Sequence, residues 1–88
     1  RAVKGGELCS FSGAAYRSNS AVTAYFRILG GRVGGVANDI TVSVTNTGTW
    51  NTYTTSFTPS EDGVIEVVFE AYGGTSHQAL CHDVNLTQ

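Results

Sequence analysis

The stretch AVTAYFRIL at residues 21–29 decides the fold class. Val22, Ala24, Phe26 and Ile28 occupy one parity, and Thr23, Tyr25 and Arg27 occupy the other. Side chains of an extended strand alternate between two faces, whereas a helix repeats its apolar positions at wider intervals. Val, Ile, Thr and aromatic residues also pack well on a pleated surface and lose side-chain freedom in a helix. The stretch predicts a half-buried strand with Val22, Ala24, Phe26 and Ile28 inward and Thr23, Tyr25 and Arg27 outward.

The same period extends to both sides. Upstream, ELCSFSGAAYR at residues 7–17 alternates Cys9, Phe11, Gly13 and Ala15 with Ser10, Ser12, Ala14 and Tyr16, and Ser18-Asn19-Ser20 reads as a turn. Downstream, ITVSVT at 40–45 puts Ile40, Val42 and Val44 on one face, ahead of a turn at Asn46-Thr47-Gly48. WNTYTTSFT at 50–58 follows, then the turn PSEDG at 59–63. In VIEVVFEAY at 64–72, Ile65, Val67, Phe69 and Ala71 share one face, while Glu66 and Glu70 share the other with Val64, Val68 and Tyr72. QALCHDVNL at 78–86 closes the series. Six strands at this spacing predict an all-β fold, an antiparallel β-sandwich forming a single domain over residues 1–88. Trp50, Tyr53, Phe57 and Phe69 are assigned to its core. The glycine-rich residues 30–35 lack the Lys-Ser/Thr ending and the following helix of a phosphate loop, and read as a flexible connection.

Composition excludes several classes. Five Lys+Arg against seven Asp+Glu leave no cationic face for nucleic acid. Charged residues make up 14% and hydrophobic ones 41%, too weakly charged and too apolar for a disordered tail. No run of about 18 apolar residues is present, so no membrane insertion is expected. A chain of 88 residues buries only about 60–65% of its unfolded surface, so a thin core aided by a staple or a partner is expected. Arg1 in place of Met implies processing, or a fragment or C-terminal module of a longer protein. The single Lys among many Thr, Ser and Asn residues suits an extracellular or virion surface.

The run TGTWNTYTTSFTPSEDGVIEV, from Thr47 to Val67, carries a Trp, a second aromatic, Phe-Thr-Pro, a glycine turn and an alternating strand. It resembles one stretch of the galactose-binding-like jelly rolls, which include many carbohydrate-binding modules. Cys81-His82-Asp83-Val84-Asn85-Leu86 looks like the closing strand of that family, and Gly6 to Ser12 is similar to one of its earlier strands. The resemblance covers most of the chain. It departs from the family at His82, where an Asp is usual, and at Cys9, where an aromatic is usual. Similar modules lie at the ends of secreted proteins and of phage and other virion surface proteins.

The resemblance implies a jelly roll of about eight strands, of which this chain matches the last six. Arg1 to Lys4 then reads as the tail of a missing strand. One sheet would hold the strands of Cys9, Cys81 and Trp50, the other those of Tyr25, Ile40 and Phe69. The edges beside the Cys81 and Phe69 strands would be open, and unpaired edge groups invite a strand from another chain. The partner expectation is therefore a homo-oligomer or strand complementation, against the alternative of a compact six-stranded variant with covered edges. In the same register Cys9 and Cys81 lie on neighbouring strands facing the core, as a disulfide or as two buried thiols. Asp83 matches a carboxylate that often helps hold a structural calcium in the family, but the usual companion ligands near the N-terminus are missing here.

No residue constellation points to catalysis. There is no G-x-S-x-G elbow, and a regular strand would point His82 and Asp83 to opposite faces. Glu66 and Glu70 stand about 13 Å apart along a strand, beyond the about 5–9.5 Å of a glycosidase pair. Tyr16, Tyr25, Arg27, Glu66, Glu70 and Tyr72 form the candidate contact surface for a glycan or a protein, with a cross-strand Arg–Glu pair as the plain structural alternative. No cofactor is expected. The functional expectation is a non-catalytic structural module of a virion or extracellular surface assembly. The alternative is a carbohydrate-binding module of a secreted enzyme or adhesin.

Overall fold

The computed structural model of the chain describes residues 1–30 and 39–88, together with the backbone of 32–33 and 36–37. The flexible connection expected at the glycine-rich residues 30–35 falls, beyond Gly30, outside the fully described residues. Ten strands follow one another: β1 (Ala2–Val3), β2 (Cys9–Arg17), β3 (Thr23–Leu29), β4 (Arg32–Val33), β5 (Val36–Ala37), β6 (Ile40–Ser43), β7 (Asn51–Phe57), β8 (Gly63–Val64), β9 (Glu66–Tyr72) and β10 (Ala79–Thr87). No helix occurs among the described residues. The six strands predicted from periodicity are β2, β3, β6, β7, β9 and β10.

They divide into two antiparallel three-stranded sheets, β10-β2-β7 and β6-β3-β9. Two short pairs, β1-β8 and β4-β5, complete the set. The sheets are those predicted, with Cys9 and Cys81 strands adjacent in one and the Tyr25 strand central in the other. The chain forms an antiparallel β-sandwich of the jelly-roll-like kind.

The two central strands supply the core. Cys9, Phe11 and Ala15 of β2 and Ala24, Phe26 and Ile28 of β3 are buried, joined by Val3, Val44, Phe57 and Ile65. Phe11 meets Phe26 across the layers with ring centroids 5.1 Å apart in an edge-on geometry, and Phe26 meets Phe69 at 5.0 Å. Such aromatic contacts add to the area they bury. Gly13 makes the first contact possible: a Cβ there would lie 2.8 Å from Phe26 Cζ and 3.1 Å from Phe11 Cζ. Gly13 is thus a packing residue, placed where two rings take the space of a side chain.

The strand β10 departs from regular geometry. Its register against β2 shifts between His82 and Asn85, so that Asp83 and Val84 together oppose Gly13. Asp83 has φ 51°, a conformation that Asp tolerates better than most residues. This is a β-bulge, in which one extra residue reverses the faces that follow. A regular strand would aim Asp83 at the core. The bulge takes Asp83 out of the alternation and leaves Ala79, Cys81, Val84 and Leu86 as the inward row.

That inward row is incompletely covered. Cys81 and Val84 are exposed, and Ala79 and Leu86 are only half-buried. Across the sandwich, Val67 and Phe69 of β9 are half-buried and Ala71 is exposed. β9 and β10 each end their sheet, so the sandwich is closed where β6 and β7 lie and open on the opposite side.

The two ends are tied by side chains. Arg17 donates to three carbonyls, those of Val22 at 2.9 Å, Thr45 at 2.8 Å and Asn46 at 3.3 Å. It thereby joins loops leaving both sheets. At the other end Gln88 accepts from Lys4 N–H at 2.7 Å and donates to the carbonyls of Lys4 at 2.7 Å and Glu7 at 3.0 Å.

Candidate functional site

The outer face of the β6-β3-β9 sheet carries most of the predicted contact residues. Register sets Tyr25 opposite Glu70 and Thr23 opposite Tyr72. Tyr25 donates its phenol hydrogen to Glu70 Oε2 at 2.7 Å. Arg27, one register step along, donates to Glu70 Oε1 at 2.9 Å and to Asp39 Oδ2 at 2.6 Å. Tyr72 sets its ring edge-on to Tyr25 with centroids 6.4 Å apart. The hydrogen bond from Tyr25 is the largest influence and, helped by the bond and charge of Arg27, holds the Glu70 carboxyl below its ordinary pKa against the opposing desolvation. The same bond pushes the Tyr25 phenol upward, and Asp39 and then Glu70 push Arg27 upward. Asp39 was not among the predicted residues, because it lies beyond any strand whose parity could place it. Glu66 sits at the far end of this face, in register with Leu29.

Tyr16, predicted with this group, lies on the outer face of the other sheet. Leu80 is its register partner, and His82 is that of Ala14. Tyr16 stands 5.7 Å from Trp50 between ring centroids, and Trp50 stands 4.6 Å from His82. Trp50 is 46% exposed and therefore not a core residue as predicted. The signal was available: Trp50 is three positions from Tyr53 and seven from Phe57, which makes its parity opposite to theirs. Tyr53 and Phe69 are half-buried against the core, and Phe57 is buried within it. Farther along the same outer face, Ser10, Ser12, Thr54, Ser56, Asn85 and Thr87 line a shallow groove of about 390 Å³.

His82 and Asp83 do not point to opposite faces. The bulge brings the Asp83 carboxylate to 2.7 Å from His82 Nδ1, with both side chains largely in solvent. Among the described residues, no group of three or more His, Cys, Asp and Glu could hold a metal ion.

The proposed disulfide is absent. Cys9 and Cys81 are free thiols, Cys9 buried and Cys81 exposed. Their strands are neighbours, as predicted, but the antiparallel register sets Cys81 opposite Ala15 and Cys9 beyond Thr87. Six residues of strand separate Ala15 from Cys9, about 20 Å, whereas a disulfide needs Cα atoms about 4.4–6.8 Å apart. Desolvation raises the pKa of both thiols.

The third surface is the open side. Arg1, Val64, Ile65, Glu66, Val67, Val84 and Leu86 line a groove of about 480 Å³ there. β1 reaches its rim: Arg1 donates its α-ammonium to Ile65 O at 2.9 Å, and Ile65 N–H donates to Arg1 O at 2.9 Å.

No protein-family model matches the chain, no curated protein matches it, and no solved structure matches it.

Proposed function

We propose that this chain is a non-catalytic structural module of a virion or extracellular surface assembly, built on a galactose-binding-like jelly roll and held through its open side by neighbouring chains. The observation that carries the reading is the pair of inward rows on β9 and β10, apolar in sequence and only partly covered in the fold. Apolar surface of this kind gains free energy, about 25 cal/mol per Å², when another surface covers it. Edge strands with unpaired backbone groups accept further strands readily. The near-neutral, Thr- and Ser-rich composition with a single Lys supports placement on an external surface. The polar residues on the outer faces satisfy one another, as in the Tyr25–Glu70–Arg27–Asp39 network, which supports a structural rather than a catalytic use.

Sedimentation over a range of protein concentrations, run beside a screen of immobilised glycans, tests the proposal. Assembly without glycan binding is expected. A monomer at every concentration that retains glycans would overturn it.

A second reading, that of a carbohydrate-binding module, is favoured by one specific observation. Trp50, with Tyr16 and His82 beside it, presents exposed ring surface on the same outer face as a groove lined by hydroxyl and amide groups. Saccharides present apolar C–H faces to rings and hydroxyls to polar groups, and pockets that bind small molecules combine the same two elements.

A further inference from the structure

We propose that Asn85 is the acceptor of an N-linked glycan, presented on the outer face of the β10-β2-β7 sheet by the bulge at Asp83. It rests on the external placement in the reading above and adds a reaction partner to it: an oligosaccharide carried on a lipid diphosphate, the donor of a eukaryotic secretory route.

Asn85-Leu86-Thr87 has the acceptor pattern, an Asn followed by any residue but Pro and then by Ser or Thr. Asn19, Asn38, Asn46 and Asn51 have Ala21, Ile40, Gly48 and Tyr53 at the hydroxyl position and do not fit it. Three residues are a short signal in a chain rich in Thr and Ser. The placement of Asn85 adds what the letters lack.

The bulge decides that placement. Regular alternation from an inward Cys81 would turn Asp83, Asn85 and Thr87 toward the other sheet, and Val84 and Leu86 into solvent. The observed register sets Asn85 opposite Ser12 and Thr87 opposite Ser10. Residues directly opposite one another in an antiparallel pair share a face. Asn85 and Thr87 therefore stand with Ser10 and Ser12 on the outer face, and both are exposed. Leu86, between them, packs against the core. One extra residue thus moves the whole acceptor pattern from the inside of the sandwich to its surface.

The surroundings suit a large hydrophilic substituent. Asn85 lines the groove of about 390 Å³ together with Ser10, Ser12, Thr54, Ser56 and Thr87. These side chains are short and each carries a hydroxyl, so a first sugar ring meets hydrogen-bonding groups and no bulk. The inward row of β10, which the assembly reading uses, lies on the opposite face of the same strand.

The transfer balances at the amide nitrogen. Asn85 Nδ2 attacks C1 of the donor's first sugar and the Nδ2–C1 bond forms. The bond from C1 to the phosphate oxygen breaks, and the lipid diphosphate leaves with that electron pair. Nδ2 gives up one hydrogen as a proton to a base of the transferase and keeps the other, a donor for Asp83 O, which Nδ2 meets at 3.1 Å. Transfer acts on the extended chain, and the fold must then leave the product in solvent, since a glycan is bulky and strongly hydrated. An inward Asn85 would lodge it between the sheets. An outward Asn85 leaves the core as it is.

The full chain, translated behind a secretion leader into microsomes, tests the assignment, with only chain protected from added protease scored. Protected chain is expected as a species one glycan heavier, returned to the unmodified mobility by peptide N-glycosidase, which leaves an aspartate in place of Asn85. Asn85→Gln and Thr87→Val are expected to abolish the heavier species, and Thr87→Ser to retain it. Glycosylated chain purified from a eukaryotic host is expected to match Asn85→Gln in circular dichroism spectrum and thermal midpoint. Protected chain that stays unmodified overturns the inference, as does a glycosylated chain that fails to fold where Asn85→Gln folds. Sedimentation keeps this inference and the assembly reading apart. Assembly by a chain that takes no glycan removes the acceptor and leaves the assembly. A glycosylated chain that is monomeric at every concentration, before and after enzymatic release of the glycan, removes the assembly and leaves the acceptor.

Discussion

Tyr25 and Glu70 share one short hydrogen bond, 2.7 Å from phenol to carboxylate, directly across the β3–β9 pair. The bond shifts both groups in opposite directions. Glu70 falls below its ordinary value of 4.5, with Tyr25 the largest cause and Arg27 helping to outweigh desolvation, and Tyr25 rises above its ordinary 10.0.

A lowered folded-state pKa means that the unfolded chain binds more protons in the acid range. Glu70 therefore contributes stability above the ordinary carboxylate range that is lost as pH falls through its depressed value. Tyr25 contributes stability below pH 10.0 that is lost as pH rises through its raised value. Urea midpoints measured from acid to neutral pH should show a smaller acid loss in Tyr25→Phe than in the parent chain, because the unfolded carboxyl sets where the loss begins and the depressed folded value sets how far it runs. Because both groups lie at the surface, salt should reduce the difference. Identical acid limbs in the two proteins would show that the bond has no hold on Glu70.

Gly13→Ala tests the aromatic contact at the centre of the sandwich. The added methyl would sit 2.8 Å from Phe26 Cζ, and Phe26 is fully buried with no room to swing. Overpacking of this kind costs about 1–3 kcal/mol. Chemical denaturation should show that loss. Thr41→Ala, on the exposed outer face, should stay within about 0.5 kcal/mol of the parent.

Arg17→Lys should destabilise the chain although the charge is kept. A guanidinium spreads its donors in a planar fork, and Arg17 uses Nε, Nη1 and Nη2 on three separate carbonyls. A single ammonium cannot reach all three in that geometry. The loss should be about 1–2 kcal/mol, from hydrogen bonds between a charged donor and backbone acceptors. Hydrogen exchange should quicken in the turns around Val22 and Thr45, the loops that Arg17 ties.

The two thiols should separate cleanly under alkylation. Cys81 is exposed and should react in the folded protein, whereas Cys9, at 0% exposure, should react only on unfolding. Both thiols are pushed above the ordinary value of 9.0 by desolvation, so labelling of Cys81 should be slow near neutral pH and quicken as pH rises. Gel mobility should be the same with and without reductant. A faster-migrating oxidised monomer would contradict the register of β2 and β10.

The strands were legible in the sequence because a half-buried strand writes its two faces into alternate residues. The rows Cys9-Phe11-Gly13-Ala15 and Val22-Ala24-Phe26-Ile28 are buried as their parity requires. Sheet membership followed from a resemblance, and the fold agrees with it. Register was not legible, since alternation fixes which face a residue takes and says nothing about how far one strand slides along its neighbour. Cys81 is adjacent to the right strand and six residues from the right cysteine for that reason. The bulge at Asp83 was hidden as well, because one extra residue changes only the phase of a pattern already short. Trp50 was misplaced for a different reason. Its size suggested the core, while its parity, shared with the exposed Thr52 and Thr54, placed it outside.

The same parity makes Trp50 the reporter that separates the two functional readings. It is the single Trp of the chain, so tryptophan emission reads the outer face of the β10-β2-β7 sheet alone. Assembly through the open side leaves the outer face with the Tyr16–Trp50–His82 cluster uncovered. Emission should therefore stay constant across the concentration range in which sedimentation detects assembly. A saccharide that stacks on this face must cover the indole, so its titration should shift or quench the emission. Trp50→Ala should then weaken that binding at least tenfold, about 1.4 kcal/mol, without altering the sedimentation behaviour. Emission that changes with protein concentration and stays indifferent to every saccharide tried would move the assembly surface onto this face and remove the carbohydrate reading.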